Sequence, residues 1–153
     1  MSKNYKNQPT VLEQIALAIL KGLWFLITLP FKKTRFGLKR KRDLSLEDKN
    51  YIVSKRLEIE KMLKSDNSAE LKHALFEADK LVDYKLKSEG YLADTFADKL
   101  RQKEGSLNRA LYNEIWSGHK TRNIIAHEHE ANVSDQEIIS ATKKLLRYTE
   151  IYD

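Results

Sequence analysis

From Ser45 onward the apolar residues recur every three or four positions, and no stretch alternates with period two. Such spacing gives each segment one apolar stripe for a helix and provides no half-buried strand. A first helix carries Ile52, Val53, Leu57, Ile59, Met62 and Leu63 as its stripe, with Ser45 and Asp48 at capping-box spacing before it. Ser65-Asp66-Asn67-Ser68 is a turn, and Ser68 is the expected cap of a second helix. That helix buries Leu71, Leu75, Ala78, Leu81, Val82 and Leu86 and stops at Gly90. A short third helix is expected over Thr95 to Glu104, and a fourth from Leu107 to about His127 with Leu111 and Ile115 inward. After a polar loop from Glu128 to Val133, Ser134 and Glu137 open a last helix. Its inward residues are Ile138, Ile139, Leu145 and Leu146, with Tyr148 and Ile151 as further candidates. Five glycines and two prolines count against a turn-rich β fold. The expected fold is therefore all-α: an antiparallel bundle of four to five helices over 45–153.

Upstream of the bundle, residues 1–10 read as a disordered tail. Val11 to Phe31 is almost wholly apolar and about 20 residues long, enough to cross a hydrocarbon core. Lys21 at its midpoint and Glu13 and Gln14 in its first turn complicate a simple span. A single span and an in-plane or re-entrant anchor both stay open, with a soluble amphipathic helix as the third reading. A basic linker over 32–44 follows, holding Lys32, Lys33, Arg35, Lys39, Arg40, Lys41 and Arg42. By the positive-inside rule this block places the bundle on the cytoplasmic face of the cell membrane. Its place beside the apolar run makes anionic lipid headgroups its expected partner, with RNA as the rival.

The net charge of +6 is unevenly divided. Residues 1–42 hold ten Lys/Arg and one acid, which is +9; residues 43–153 hold 18 Lys/Arg and 21 acids, which is −3. A mildly acidic bundle is a poor broad surface for nucleic acid. With no cysteine, disulfides and thiolate metal sites are excluded, and no cofactor is implied.

Chemistry concentrates between Trp116 and Glu130, where three of the four histidines stand near Arg122 and Asn123. His119, Asn123 and His127 are spaced four apart and share one helix face. Arg122 and His127 are five apart, about 140° around an ideal helix. Arg122 is long and His127 lies near the helix end, so both can reach one phosphate. A histidine near neutrality can take a proton from a 2′-hydroxyl or give one to a leaving oxygen. A guanidinium can stabilise the pentacovalent phosphate, without a metal. The alternating His127, Glu128, His129 and Glu130 converge poorly on an ion, so no metal site is expected.

An arginine, a polar residue, three more residues and a histidine, late in a small helical bundle, resemble the motif of the HEPN superfamily. Arg122, Asn123 and His127 carry the match, and Leu75-Phe76-Glu77-Ala78-Asp79-Lys80-Leu81 is similar to a segment of small bacterial HEPN-like proteins. The resemblance covers roughly Ser45 to Asp153. It implies a metal-independent endoribonuclease acting as a homodimer, with Arg122, Asn123 and His127 as catalytic residues. It also implies support from His119 and an acidic residue of the second helix: Glu77, Asp79 or Asp83. A toxin role, with an antitoxin as partner, follows from the family for the nuclease; other members of the superfamily are inactive binding modules, so the second expectation is a membrane-held adaptor binding a nucleotide or protein partner.

Plainer roles stand beside these. Arg122 can pair with Glu77 or Asp79 inside the bundle. His127 can serve as a helix C-cap, and His119 as a half-buried hydrogen-bonding group. Tyr112 and Trp116 suit core or dimer contacts better than base stacking.

Overall fold

The computed structural model describes residues 42–127 and 132–151, within a compact unit running from Leu38 to Asp153. The described residues form an all-α bundle of five helices without a strand: α1 (Leu46–Met62), α2 (Ser68–Ser88), α3 (Phe96–Lys103), α4 (Arg109–His127) and α5 (Asp135–Tyr148). A 3₁₀ turn, Glu104–Ser106, joins α3 to the approach of α4. The expected anchor over 11–31, the linker residues Lys32 to Lys41 and the loop residues 128–131 lie outside the described residues. Among the described residues no helix is long and apolar enough to cross a membrane.

Helix α2 is the hub, packing against each of the other four. Leu71, Ala74, Leu75, Ala78, Leu81, Val82 and Leu86 are all buried on it. Ile52 and Ile59 from α1, Ile115 from α4, and Ile138 and Leu145 from α5 complete a core of fully buried side chains. Helices α4 and α5 run antiparallel: Arg147 pairs with Glu114, and Lys144 Nζ donates to Ser117 Oγ at 3.1 Å. They close up at Gly118, where a Cβ would lie 2.5 Å from Leu145 Cγ and 2.9 Å from the Ala141 carbonyl oxygen.

The helix ends follow local chemistry. Ser45/Asp48 and Ser134/Glu137 form reciprocal capping boxes, satisfying backbone donors that have no partner inside the helix. Gly90, at φ 94°, takes the left-handed conformation that ends α2. Three expectations need correction. Asn67, not Ser68, caps α2, because its Oδ1 reaches Ala69 N–H at 2.9 Å. Helix α4 starts at Arg109 because Asn108 caps it, its Oδ1 accepting from Leu111 N–H at 2.8 Å. Val53 and Leu57 are 46% and 61% exposed rather than core. A helix at the edge of the bundle buries one narrow line, here Ile52 and Ile59, and positions 53 and 57 face away from it.

One buried polar cluster ties the bundle's end together. Glu89 accepts from Lys103 Nζ at 2.6 Å and from Tyr148 Oη at 2.7 Å. Lys85 Nζ donates to the carbonyls of Tyr148 at 2.7 Å and Glu150 at 3.0 Å, satisfying carbonyls at the C-terminal end of α5. Burial lowers the Lys85 ammonium pKa and raises that of the Tyr148 hydroxyl, to which nearby Glu89 adds.

Candidate functional site

The inward edge of α4 meets the middle of α2 at Asp79 and His119. Asp79 is 6% exposed, one residue beyond the buried Ala78, so its carboxylate is held nearly out of water. His119 Nδ1 lies 2.7 Å from Asp79 Oδ1, and His119 Nε2 lies 3.1 Å from Asn123 Nδ2. Arg122 Nη1 in turn donates to Asn123 Oδ1 at 3.0 Å. A guanidinium only donates, so Asn123 must present its oxygen to Arg122 and its amide nitrogen to His119. The His119 Nε2 then accepts, and the ring's proton sits on Nδ1, donated to Asp79. The four side chains form one directed chain of hydrogen bonds.

Aromatic rings clamp this chain from outside. Thr95 caps α3, its Oγ1 accepting from Asp98 N–H at 3.1 Å, and so sets Phe96 at the first helical position. Phe96 stacks face to face on His119, with ring centroids 4.0 Å apart and planes 6° apart. Trp116 meets the same imidazole edge-on at 6.2 Å. The Arg122 guanidinium carbon lies 5.0 Å from the Phe76 ring centroid, a cation–π arrangement. Its Nε is buried and 3.6 Å from Asp79 Oδ2, close enough for ion pairing but without a hydrogen bond. Arg122 Nη2 has no acceptor among the described residues.

The structure thus brings Asp79, His119, Asn123 and Arg122 together. His127 is the last residue of α4, exposed, one turn beyond Asn123. It lines one cavity with Trp116, Lys120 and Ile124 of α4, while Arg122 opens into a different cleft bordered by α1, α2 and α3. Glu77 accepts from Lys80 Nζ at 2.7 Å, which lowers its pKa. Asp83 is held by Lys99 at 2.6 Å and Lys87 at 2.7 Å; burial would raise its pKa, and the two lysines outweigh that and lower it. Of the three acids, Asp79 is the one that joins the chain. Among the linker cations, Arg42 is described: it is exposed, and its N–H donates to the Glu89 carbonyl at 3.1 Å. Tyr112 is buried and Trp116 partly buried, in an edge-to-face pair at 6.2 Å.

Sequence reasoning missed Phe96 and Phe76 as partners of the polar chain. The expected third helix over Thr95 to Glu104 placed Phe96 near its start, but which ring would face His119 was not encoded locally. No group of three or more metal-ligating side chains gathers among the described residues. Compared with known proteins, the chain matches no family model, no curated protein and no solved structure.

Proposed function

We propose that this chain is a membrane-anchored, cytoplasm-facing member of the HEPN superfamily, acting as a homodimeric, metal-independent endoribonuclease. What carries the reading is the Asp79–His119–Asn123–Arg122 chain, which fixes a guanidinium and leaves its Nη2 for a phosphate. A charge held in place before substrate arrives stabilises a developing phosphorane without reorganisation. His127, exposed at the end of α4, is the proton carrier in this reading. Within one chain it and Arg122 line different clefts, so a shared phosphodiester calls for His127 of a second copy.

In the reaction, one imidazole removes the 2′-hydroxyl proton and O2′ attacks the adjacent phosphorus. The P–O5′ bond breaks, and a protonated imidazole delivers a proton to the departing 5′-oxygen. The products are a 2′,3′-cyclic phosphate and a 5′-hydroxyl. Two copies supply the two histidines. Membrane attachment rests on the Val11 to Phe31 run and the basic residues that follow it.

A second reading, a non-catalytic adaptor for a nucleotide or protein partner, draws on two observations. Asp79 of the same chain partly neutralises Arg122, and residues 43–153 carry 18 cations against 21 acids. The deciding experiment incubates purified full-length protein with RNA and a chelator, beside His127→Ala and Arg122→Ala. Cyclic-phosphate ends that fall about 10²-fold or more in both variants support the enzyme. Equal cleavage by all three rejects it in favour of the adaptor.

A further inference from the structure

The cleft into which Arg122 opens measures about 490 Å³ and is bordered by three helices besides α4. That volume lies within the range of small-ligand sites, about 300–1,000 Å³. Its lining combines two kinds of group. Tyr51, Tyr84 and Phe96 supply aromatic rings, and Lys80, Lys87 and Arg122 supply cations. Tyr51 is 42% exposed although large and aromatic, and it tilts against Tyr84 with centroids 4.5 Å apart. Tyr84 is anchored from below, its hydroxyl donating to Asp48 at 2.7 Å. The pair is a supported and partly exposed aromatic surface lining the cleft.

The charges of the cleft are partly spoken for. Asp83 is held between Lys87 and Lys99, and Asp79 between His119 and Arg122. Lys80 is 67% exposed and pairs with Glu77, which is 18% exposed, so the ammonium stays in reach of solvent. An incoming phosphate therefore meets Arg122 Nη2 and an ammonium that can swing to it. Asp94, exposed at the rim, is the remaining carboxylate and disfavours a polyanion lying along that edge.

We infer that this cleft holds one nucleotide of single-stranded RNA, its base stacked on Tyr51 and its phosphate on Arg122 and Lys80. Aromatic platforms beside a cationic track accept any base through its π-face, which suits a small site with few contacts. The inference rests on RNA as the substrate proposed above, but not on cleavage. It makes the α1–α2 side of the bundle the substrate-positioning surface, a role the helix spacing of α1 alone does not announce.

The test uses the full-length protein and a fluorescent 2′-O-methyl oligoadenylate, which lacks the attacking hydroxyl. Affinity is read by anisotropy for wild type, Tyr51→Ala, Tyr51→Phe and Lys80→Ala. Loss of one base stack predicts binding weaker by about 5- to 150-fold in Tyr51→Ala, with Tyr51→Phe near wild type. Lys80→Ala should weaken binding and make the slope of log affinity against log salt shallower by about 0.7. Wild-type affinity in Tyr51→Ala overturns the inference, even if the protein cleaves RNA elsewhere. Failure of wild type to bind the oligomer overturns it as well. Binding that depends on Tyr51 in a protein that cuts no RNA upholds the inference and removes the nuclease reading. Thermal denaturation of each variant confirms that the fold is intact.

Discussion

Asp79 Oδ1 and His119 Nδ1 lie 2.7 Å apart, the shortest polar contact between the hub helix and the helix that carries the motif. Asp79 is nearly buried, so the imidazole N–H is its main partner in place of water. Through Asn123 the same contact reaches Arg122, which makes it a positioning interaction as well as a stabilising one.

Replacing Asp79 by Ala should cost about 1–3 kcal/mol, because it leaves the half-buried His119 donor and the buried Arg122 Nε without their carboxylate. Urea denaturation measures the loss. Nitrogen chemical shifts of His119 report the accompanying change: wild type should show the proton on Nδ1 and a hydrogen-bonded, unprotonated Nε2. A wild-type spectrum with the proton on Nε2 would contradict the direction of the hydrogen-bond chain from Arg122 to Asp79.

Gly118→Ala should destabilise the bundle by about 1–3 kcal/mol, although alanine favours helix over glycine by about 1 kcal/mol. The new methyl would meet both the Leu145 side chain and the backbone oxygen of Ala141, and backbone cannot move aside cheaply. Gly105→Ala is the control. A Cβ there meets nothing within 4 Å, so its melting temperature should stay level or rise slightly.

Glu89→Ala should be among the most damaging single changes, at about 3–5 kcal/mol, since it strands the ammonium of Lys103 in a buried site. Tyr148→Phe removes one donor to the same carboxylate and should cost less, about 1.5–3 kcal/mol. Equilibrium unfolding of the two variants ranks them, and equal values would contradict the ordering.

Asp48 gives a pH signature. Hydrogen bonds from Ser45, then Tyr84 and Ser88, bring its carboxyl down from 3.8 to about 2. A depressed folded pKa gives stability that is present above the unfolded value and lost as pH falls through the folded one. The stability gap between wild type and Asp48→Asn should therefore be constant above about pH 4 and close between pH 4 and pH 2. Urea midpoints at stepped pH values follow it, and a gap that widens on acidification would reverse the assigned sign.

Much of the bundle was legible because its signals are local. The capping boxes at Ser45 and Ser134, the stop at Gly90 and the α2 stripe from Leu71 to Leu86 each depend on residues within a turn or two. The two cap errors, at Asn67 and Asn108, moved a helix end by only one or two residues; the burial errors fell where neighbours in space, not in sequence, set the answer. Val53 and Leu57 have the right chemistry for a core, but α1 has too few neighbours to bury them.

The sequence by itself determined that the chain after Ser45 is helical, where those helices begin and end to within a residue or two, and that His119, Asn123 and His127 share a face of one of them. Rotation of α2 against α4 is set by core packing among distant residues, and it alone decided that Asp79, rather than Glu77 or Asp83, meets His119. The same packing turned Arg122 toward the α1–α2–α3 cleft and left His127 lining a different cavity. Spacing along a helix fixes angles about its own axis; which neighbour waits at each angle is a property of the assembled core.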